Sequence, residues 1–119
     1  MNWLLVFIGG GLGSISRYGI SKLCLSYNGN FPLATLLSNL SASLLLALML
    51  FISYKKPDLL WLQPFFIIGF CGGFSTFSTF SLENVQLFQQ AQYSWLFGNI
   101  FISIASCFVV LYAVLSLYK

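Results

Sequence analysis

Long apolar stretches alternate along this chain with brief polar interruptions. The first stretch covers residues 3–25, after which Asn28, Gly29 and Asn30 turn the chain and Pro32 opens a second stretch over 32–54. Lys55, Lys56, Pro57 and Asp58 form the one strongly polar loop, and a third stretch covers 59–82. A polar connection through Glu83, Asn84, Gln86, Gln89, Gln90 and Gln92 then leads to a fourth, 93–118, closed by Lys119. A helix that crosses the hydrocarbon of a bilayer needs about 20 apolar residues. The pattern therefore predicts an all-α membrane protein: one domain, residues 1–119, of four transmembrane helices. Trp3, Tyr27, Tyr54, Trp61, Tyr93, Trp95 and Tyr118 fall near the ends of these spans, where amphipathic rings favour the headgroup level. There is no internal repeat and no low-complexity tract.

Composition agrees, since 59% of residues are hydrophobic and only 6% charged, against about a quarter charged in an ordinary soluble domain. The first stretch does not read as a cleaved secretory signal: no Lys or Arg precedes it, and it runs into glycines rather than a small-residue cleavage site. Cys24, Cys71 and Cys107 all sit in apolar segments without Cys-x-x-Cys spacing, which fits small packing residues rather than a disulfide framework or zinc site. The five cations are scattered, without the basic stripe that neutralises phosphates, so nucleic acid is not an expected partner.

Charge also bears on orientation. Lys55, Lys56 and Lys119 fall on the side of the N-terminus, Arg17 and Lys22 toward the other face. Because Lys and Arg in short loops normally hold one side in the cytoplasm, this near balance permits insertion both ways and hence an antiparallel pair. The alternative is that another subunit fixes one orientation.

The chemical inventory is narrow. The chain has no His, and its two acids are Asp58 in a loop and Glu83 at a span end. A Ser-His-Asp triad, a carboxylate pair or a His/Cys metal cluster cannot be assembled from this set, so no enzyme is expected. Proton-coupled transport generally uses an ionisable residue deep in the membrane, and none stands near a midplane.

The spans instead carry neutral hydrogen-bonding residues. Thr35, Asn39 and Ser43 recur at i, i+4, i+8 on one face of the second span, with Ser38 and Ala42 beside them. An amide in hydrocarbon must face protein or water, so Asn39 either glues helices together or lines a polar site. The third span carries Gly72 and Gly73 followed by Ser75, Thr76, Ser78, Thr79 and Ser81, a run that weakens a helix at mid-membrane and points to a binding site. Phe77 and Phe80 share a face there. Their ring edges are positive and can attract an anion without a fixed cation, although core packing is the commoner use of such a pair. Gly9 and Gly13 follow the small-xxx-small pattern for close helix approach. Arg17, one turn on, is read three ways: lining an electropositive vestibule, pairing with Glu83, or snorkelling to the interface. Asn99, Ser103 and Cys107 make a second polar track on the fourth span, with Ser106 beside it.

The run from Gly69 to Ser81 followed by Glu83, GFCGGFSTFSTFSLE, resembles the signature GFCGGxTTFSTFSxE of the Fluc, or CrcB, fluoride channel family, with Ser75 where Thr is usual. The run Gly9 to Tyr18 resembles that family's GGxxGAxxRY segment, and Ala34 to Asn39 its GTLxxN segment. The resemblance implies an antiparallel, dual-topology homodimer with a break in the third helix, two fluoride pathways and a structural sodium ion at the dimer centre. By position, Asn39 corresponds to the pore asparagine, Phe77 and Phe80 to paired pore phenylalanines, and Ser103 to a polar-track serine. Gly72 and Ser75 correspond to residues whose backbone carbonyls hold sodium. Ala34 and Ala42 stand where glycine is usual, and Asn99 where the family often has Tyr.

Together these readings give an expected anion pathway of Thr35, Asn39, Thr76, Phe77, Thr79, Phe80 and Ser103, a vestibule at Arg17, and a sodium site at Gly72 and Ser75. The expected function is a passive, fluoride-selective channel in the inner (plasma) membrane that lets fluoride leave the cytoplasm. Neutral donors suit this task, because a fixed Lys or Arg at a constriction would hold the ion too tightly for release. A dual-topology small multidrug-type transporter and a non-transporting scaffold subunit are the competing expectations.

Overall fold

The structure is a computed structural model that describes residues 1–118; Lys119, one of the cations in the orientation balance, lies outside the described residues. Helix α1 spans Asn2–Leu23 and α2 spans Leu33–Lys55. A π-helical segment, Gln63–Phe70, runs without a gap into α3, Cys71–Phe74. Helices α4, Phe77–Gln89, and α5, Tyr93–Ser116, complete the chain. Among the described residues, four stretches are long and apolar enough to cross a membrane: Asn2–Leu23, Leu33–Lys55, Gln63–Gln89 and Tyr93–Ser116. Rings such as Phe7, Phe101 and Phe108 stand exposed on the outside of the bundle, where water would make them an aggregation surface and lipid makes them a solvated one. This is a multi-pass membrane protein.

Two boundaries differ from the sequence reading. The third span begins its helix at Gln63 rather than near residue 59, because the chain from Lys56 to Leu62 is closed by turn hydrogen bonds and Pro64 suits only a first helical turn. At its other end the helix continues to Gln89, so Glu83 and Asn84 are helical rather than part of a connection. Leu, Glu and Gln are good helix formers, and polarity at residues 83–89 marks a helix leaving the apolar zone rather than a helix ending. The connection itself is short. Gln92 N–H donates to the Leu87 carbonyl and Ala91 N–H to that of Phe88, with Ala91 left-handed at φ 55°. This is a Schellman closure.

Glycines set the central packing. A methyl group at Gly9 would strike the Phe65 carbonyl, and one at Gly13 the Phe70 carbonyl. From the opposite side, a methyl at Gly73 would strike the Gly10 carbonyl, and one at Gly69 would come within 2.9 Å of the Val6 carbonyl. Both backbones are bare where α1 meets the third span, which lets them touch. Helix α2 lies against α1, α3 and α5, burying Ser38, Ala42 and Ala47, and α4 leans on α5.

Candidate functional site

The third span leaves helical geometry at two residues. Ser75 has φ −82° and ψ 156°, and Thr76 has φ −148° and ψ 124°, both extended. Gly72 and Gly73, which open the run that the sequence marks as weak, are helical. Gly73 packs on α1, and the extended pair falls further along the same run.

What holds that pair is Asn39. Its Oδ1 accepts from the Thr76 N–H at 2.8 Å and its Nδ2 donates to the Thr76 carbonyl at 3.4 Å. One side-chain amide thus supplies both partners that a continuous helix would have given this residue. Thr76 then caps α4, its Oγ1 accepting from the Thr79 N–H at 3.2 Å. A threonine three residues ahead of that N–H is an N-cap signal readable in sequence; the long-range partner is not.

Around this point lies a groove of about 260 Å³ whose lining includes Asn39, Thr76, Phe77, Phe80 and Ser103. Ser43, Ser75, Ile104 and Cys107 complete it, so every charged residue type is missing from the wall. The Phe77 and Phe80 centroids stand 5.9 Å apart with ring planes at 39°. Phe80 is buried at 8% exposure while Phe77 is 78% exposed, so one ring anchors the wall and the other stands largely uncovered at its edge. Asn39 has a second amide hydrogen beyond the one donated to Thr76, available to the groove.

Thr35 and Thr79 are not in this groove. They line a neighbouring pocket of about 220 Å³ with Arg17, Ser14 and Ser21, and Thr76 belongs to both. Among the three readings of Arg17, pairing with Glu83 is not what the structure contains. Glu83 Oε1 instead accepts from Thr35 Oγ1 at 2.6 Å, and its Oε2 has no partner among the described residues. Arg17 lines the pocket.

Gly72 and Ser75 share a third, outward-facing pocket of about 210 Å³. The Ser75 N–H donates to the Cys71 carbonyl, but no backbone N–H returns to the carbonyls of Gly72, Gly73 or Phe74, because α4 starts afresh beyond the extended pair. Gly72 is exposed, and a methyl there would meet nothing within 4 Å of this chain.

The polar track of α5 divides. Ser103 and Cys107 face the groove, whereas Asn99, 1% exposed, sits behind its wall. Asn99 Nδ2 donates to Asn84 Oδ1 at 2.8 Å, and Ser103 Oγ donates to Asn99 Oδ1 at 3.0 Å. Asn84 had no signal in the sequence beyond its polarity, since its partner is on another helix. The three cysteines are free, with Cys71 buried and Cys24 and Cys107 half-buried.

Comparison with known proteins bears on all four helices. The profile of the family described as "CrcB-like protein, Camphor Resistance (CrcB)" matches residues 4–115. A protein of Serratia proteamaculans (strain 568) named fluoride-specific ion channel FluC is 40% identical over 109 residues, covering 90% of this chain and 85% of its own. The protein of that name from Azobacteroides pseudotrichonymphae genomovar. CFP2 is 44% identical over 113 residues, covering 90% and 88%. Another, from the archaeon Pyrococcus abyssi (strain GE5 / Orsay), is 44% identical over 100 residues, covering 82% and 79%.

Proposed function

The chain belongs to the CrcB-like family, and from that membership we propose that it is a fluoride-selective passive ion channel, not an enzyme, that lets fluoride leave the cytoplasm and so lowers its toxicity. The observation that carries this reading is the uncharged groove in which Phe77 and Phe80 stand with Asn39, Thr76 and Ser103. Fluoride is small and strongly hydrated, so a pathway must replace its water with several hydrogen-bond donors. The spare amide hydrogen of Asn39 and the hydroxyl of Thr76 are such donors, and the positive edges of the two rings add attraction without a fixed charge. A wall of this kind binds weakly enough to release the ion again. The pocket of Arg17, Thr35 and Thr79 opens on the same Thr76 and serves as a vestibule, its guanidinium raising the local anion concentration.

The working unit in this reading is an antiparallel, dual-topology homodimer in the inner (plasma) membrane. Three features support it: the groove is open on one side, the Phe77 ring is exposed beside it, and the cations nearly balance across the chain. A second copy would close the groove. The carbonyls of Gly72 and Ser75, residues that line one pocket, also fit a sodium ion at the centre of such a dimer, since hard cations take oxygen ligands and these carbonyls have no helical partners. Each chain brings two, and a twofold axis through the site would bring two more. A buried cation there would offset repulsion between two anion pathways without entering either.

The test is flux. Purified protein in liposomes should release fluoride while retaining chloride; equal release of both, proton-driven exchange of organic cations, or no transport would each overturn the reading. A C-terminal tag should be reachable from both sides of intact membranes, and labelling from one side alone would rule out dual insertion.

A further inference from the structure

The hydroxyl of Ser103 faces the groove, yet its one proton is directed away from it, onto Asn99 Oδ1 at 3.0 Å. In this arrangement the groove meets only the oxygen lone pairs, which repel an anion. Asn99 in turn donates to Asn84 Oδ1 at 2.8 Å. The three side chains therefore form one directed chain of hydrogen bonds, running from the groove through a nearly fully buried amide to a half-buried residue on α4.

A carboxamide carries a donor and an acceptor of nearly equal size, and its terminal torsion is two-fold. Turning both amides over reverses the chain without loss: Asn84 donates to Asn99, Asn99 donates to the Ser103 oxygen, and the Ser103 proton is released to the groove. The same pairs touch and the same number of bonds is made. The reversal moves one available donor from the Asn84 end to the Ser103 end. We propose that Asn84 and Asn99 are positioning residues forming a reversible relay that turns Ser103 into a donor when an anion reaches the groove. This rests on the fluoride-channel reading and deepens it. An ion entering the groove selects the reversed arrangement, and its departure lets the forward one return. The donor is thus supplied without leaving a buried polar group unpaired at any stage, which would otherwise oppose conduction.

The test locks the relay. Asn84→Asp puts an acceptor where the reversed arrangement needs a donor, so Asn99 stays turned toward it and keeps the Ser103 proton. Asn84→Ala leaves Asn99 able to turn. In fluoride efflux from liposomes, Asn84→Asp should slow release about tenfold and Asn84→Ala by less than about threefold, in keeping with one hydrogen bond lost to the ion. In a Ser103→Ala background, Asn84→Asp should cause no further change, because the lock acts only through that hydroxyl. A carboxylate acting by its charge alone would slow release equally in both backgrounds and would overturn the relay. So would equal rates for Asn84→Asp and Asn84→Ala. Should Asn84→Asp fail to assemble, Asn99→Asp imposes the same lock and is read in the same cycle. A wild-type protein that releases no fluoride overturns the channel reading itself, whereas wild-type release with no difference among the variants overturns the relay alone.

Discussion

The Asn39 side chain holds the Thr76 backbone at both ends, accepting from its N–H at 2.8 Å and donating to its carbonyl at 3.4 Å. The groove-lining amide is thus also what stabilises the extended residue beside it. Asn39→Asp keeps the acceptor but loses the donor and places a carboxylate in an anion path; fluoride release should fall more than about tenfold while the protein still folds, since one of the two bonds survives. Asn39→Ala strands the Thr76 N–H and should lower stability by about 1–3 kcal/mol in thermal or denaturant unfolding.

Phe77 and Phe80 face each other at 5.9 Å and both line the groove. Replacing either by Ile keeps bulk and removes the positive ring edge. Release should fall about tenfold, the size of one aromatic interaction. Because Phe80 is buried within this chain, Phe80→Ile should also lower the unfolding temperature. Wild-type release from both variants would reduce the pair to packing.

The glycines of α1 are not equivalent. A methyl at Gly13 strikes the Phe70 carbonyl and lies 2.9 Å from the Phe74 nitrogen, whereas one at Gly11 meets nothing within 4 Å. Gly13→Ala should destabilise the protein by about 1–3 kcal/mol through overpacking against backbone. Gly11→Ala, in the same helix, should raise stability by about 0.5–1 kcal/mol by removing backbone freedom from the unfolded chain. Unfolding of the two variants side by side decides it.

Thr35 donates to Glu83 Oε1 at 2.6 Å, joining α2 to α4. Thr35→Val has nearly the same shape and leaves that oxygen without its donor, a cost of about 1–3 kcal/mol. Glu83→Gln retains an oxygen able to accept from Thr35 and should cost less than about 1 kcal/mol. The order of the two unfolding midpoints checks the assignment; the reverse order would contradict it.

Ala91 adopts φ 55° at the end of α4. A left-handed residue with a Cβ costs roughly 1–2 kcal/mol that glycine avoids. Ala91→Gly should therefore raise stability by about 0.5–1 kcal/mol once the added freedom of the unfolded chain is subtracted. Helix content and fluoride release should not change.

Hydropathy and inventory by themselves determined that this chain lies in a membrane with four spans. The neutral residues on α2 and α5 and the pairing of Phe77 with Phe80 were legible from helical spacing, and the motifs between Gly69 and Glu83 carried the family. These are properties of neighbouring residues, summed over windows that one helix or one motif contains. Tertiary structure decided where the backbone leaves the helix. The run of glycines, serines and threonines from Gly72 to Ser81 marked the weak stretch, but within it Gly73 is helical against α1, and the extended residues are Ser75 and Thr76 because Asn39, 37 positions away, satisfies Thr76. It decided likewise that Thr35 belongs to the pocket of Arg17 rather than the groove, that Glu83 takes a threonine rather than an arginine, and that Asn99 meets Asn84 behind Ser103. Each of these depends on which helix faces which. A buried polar group accepts whatever partner packing brings within about 3 Å, and no local pattern specifies that partner.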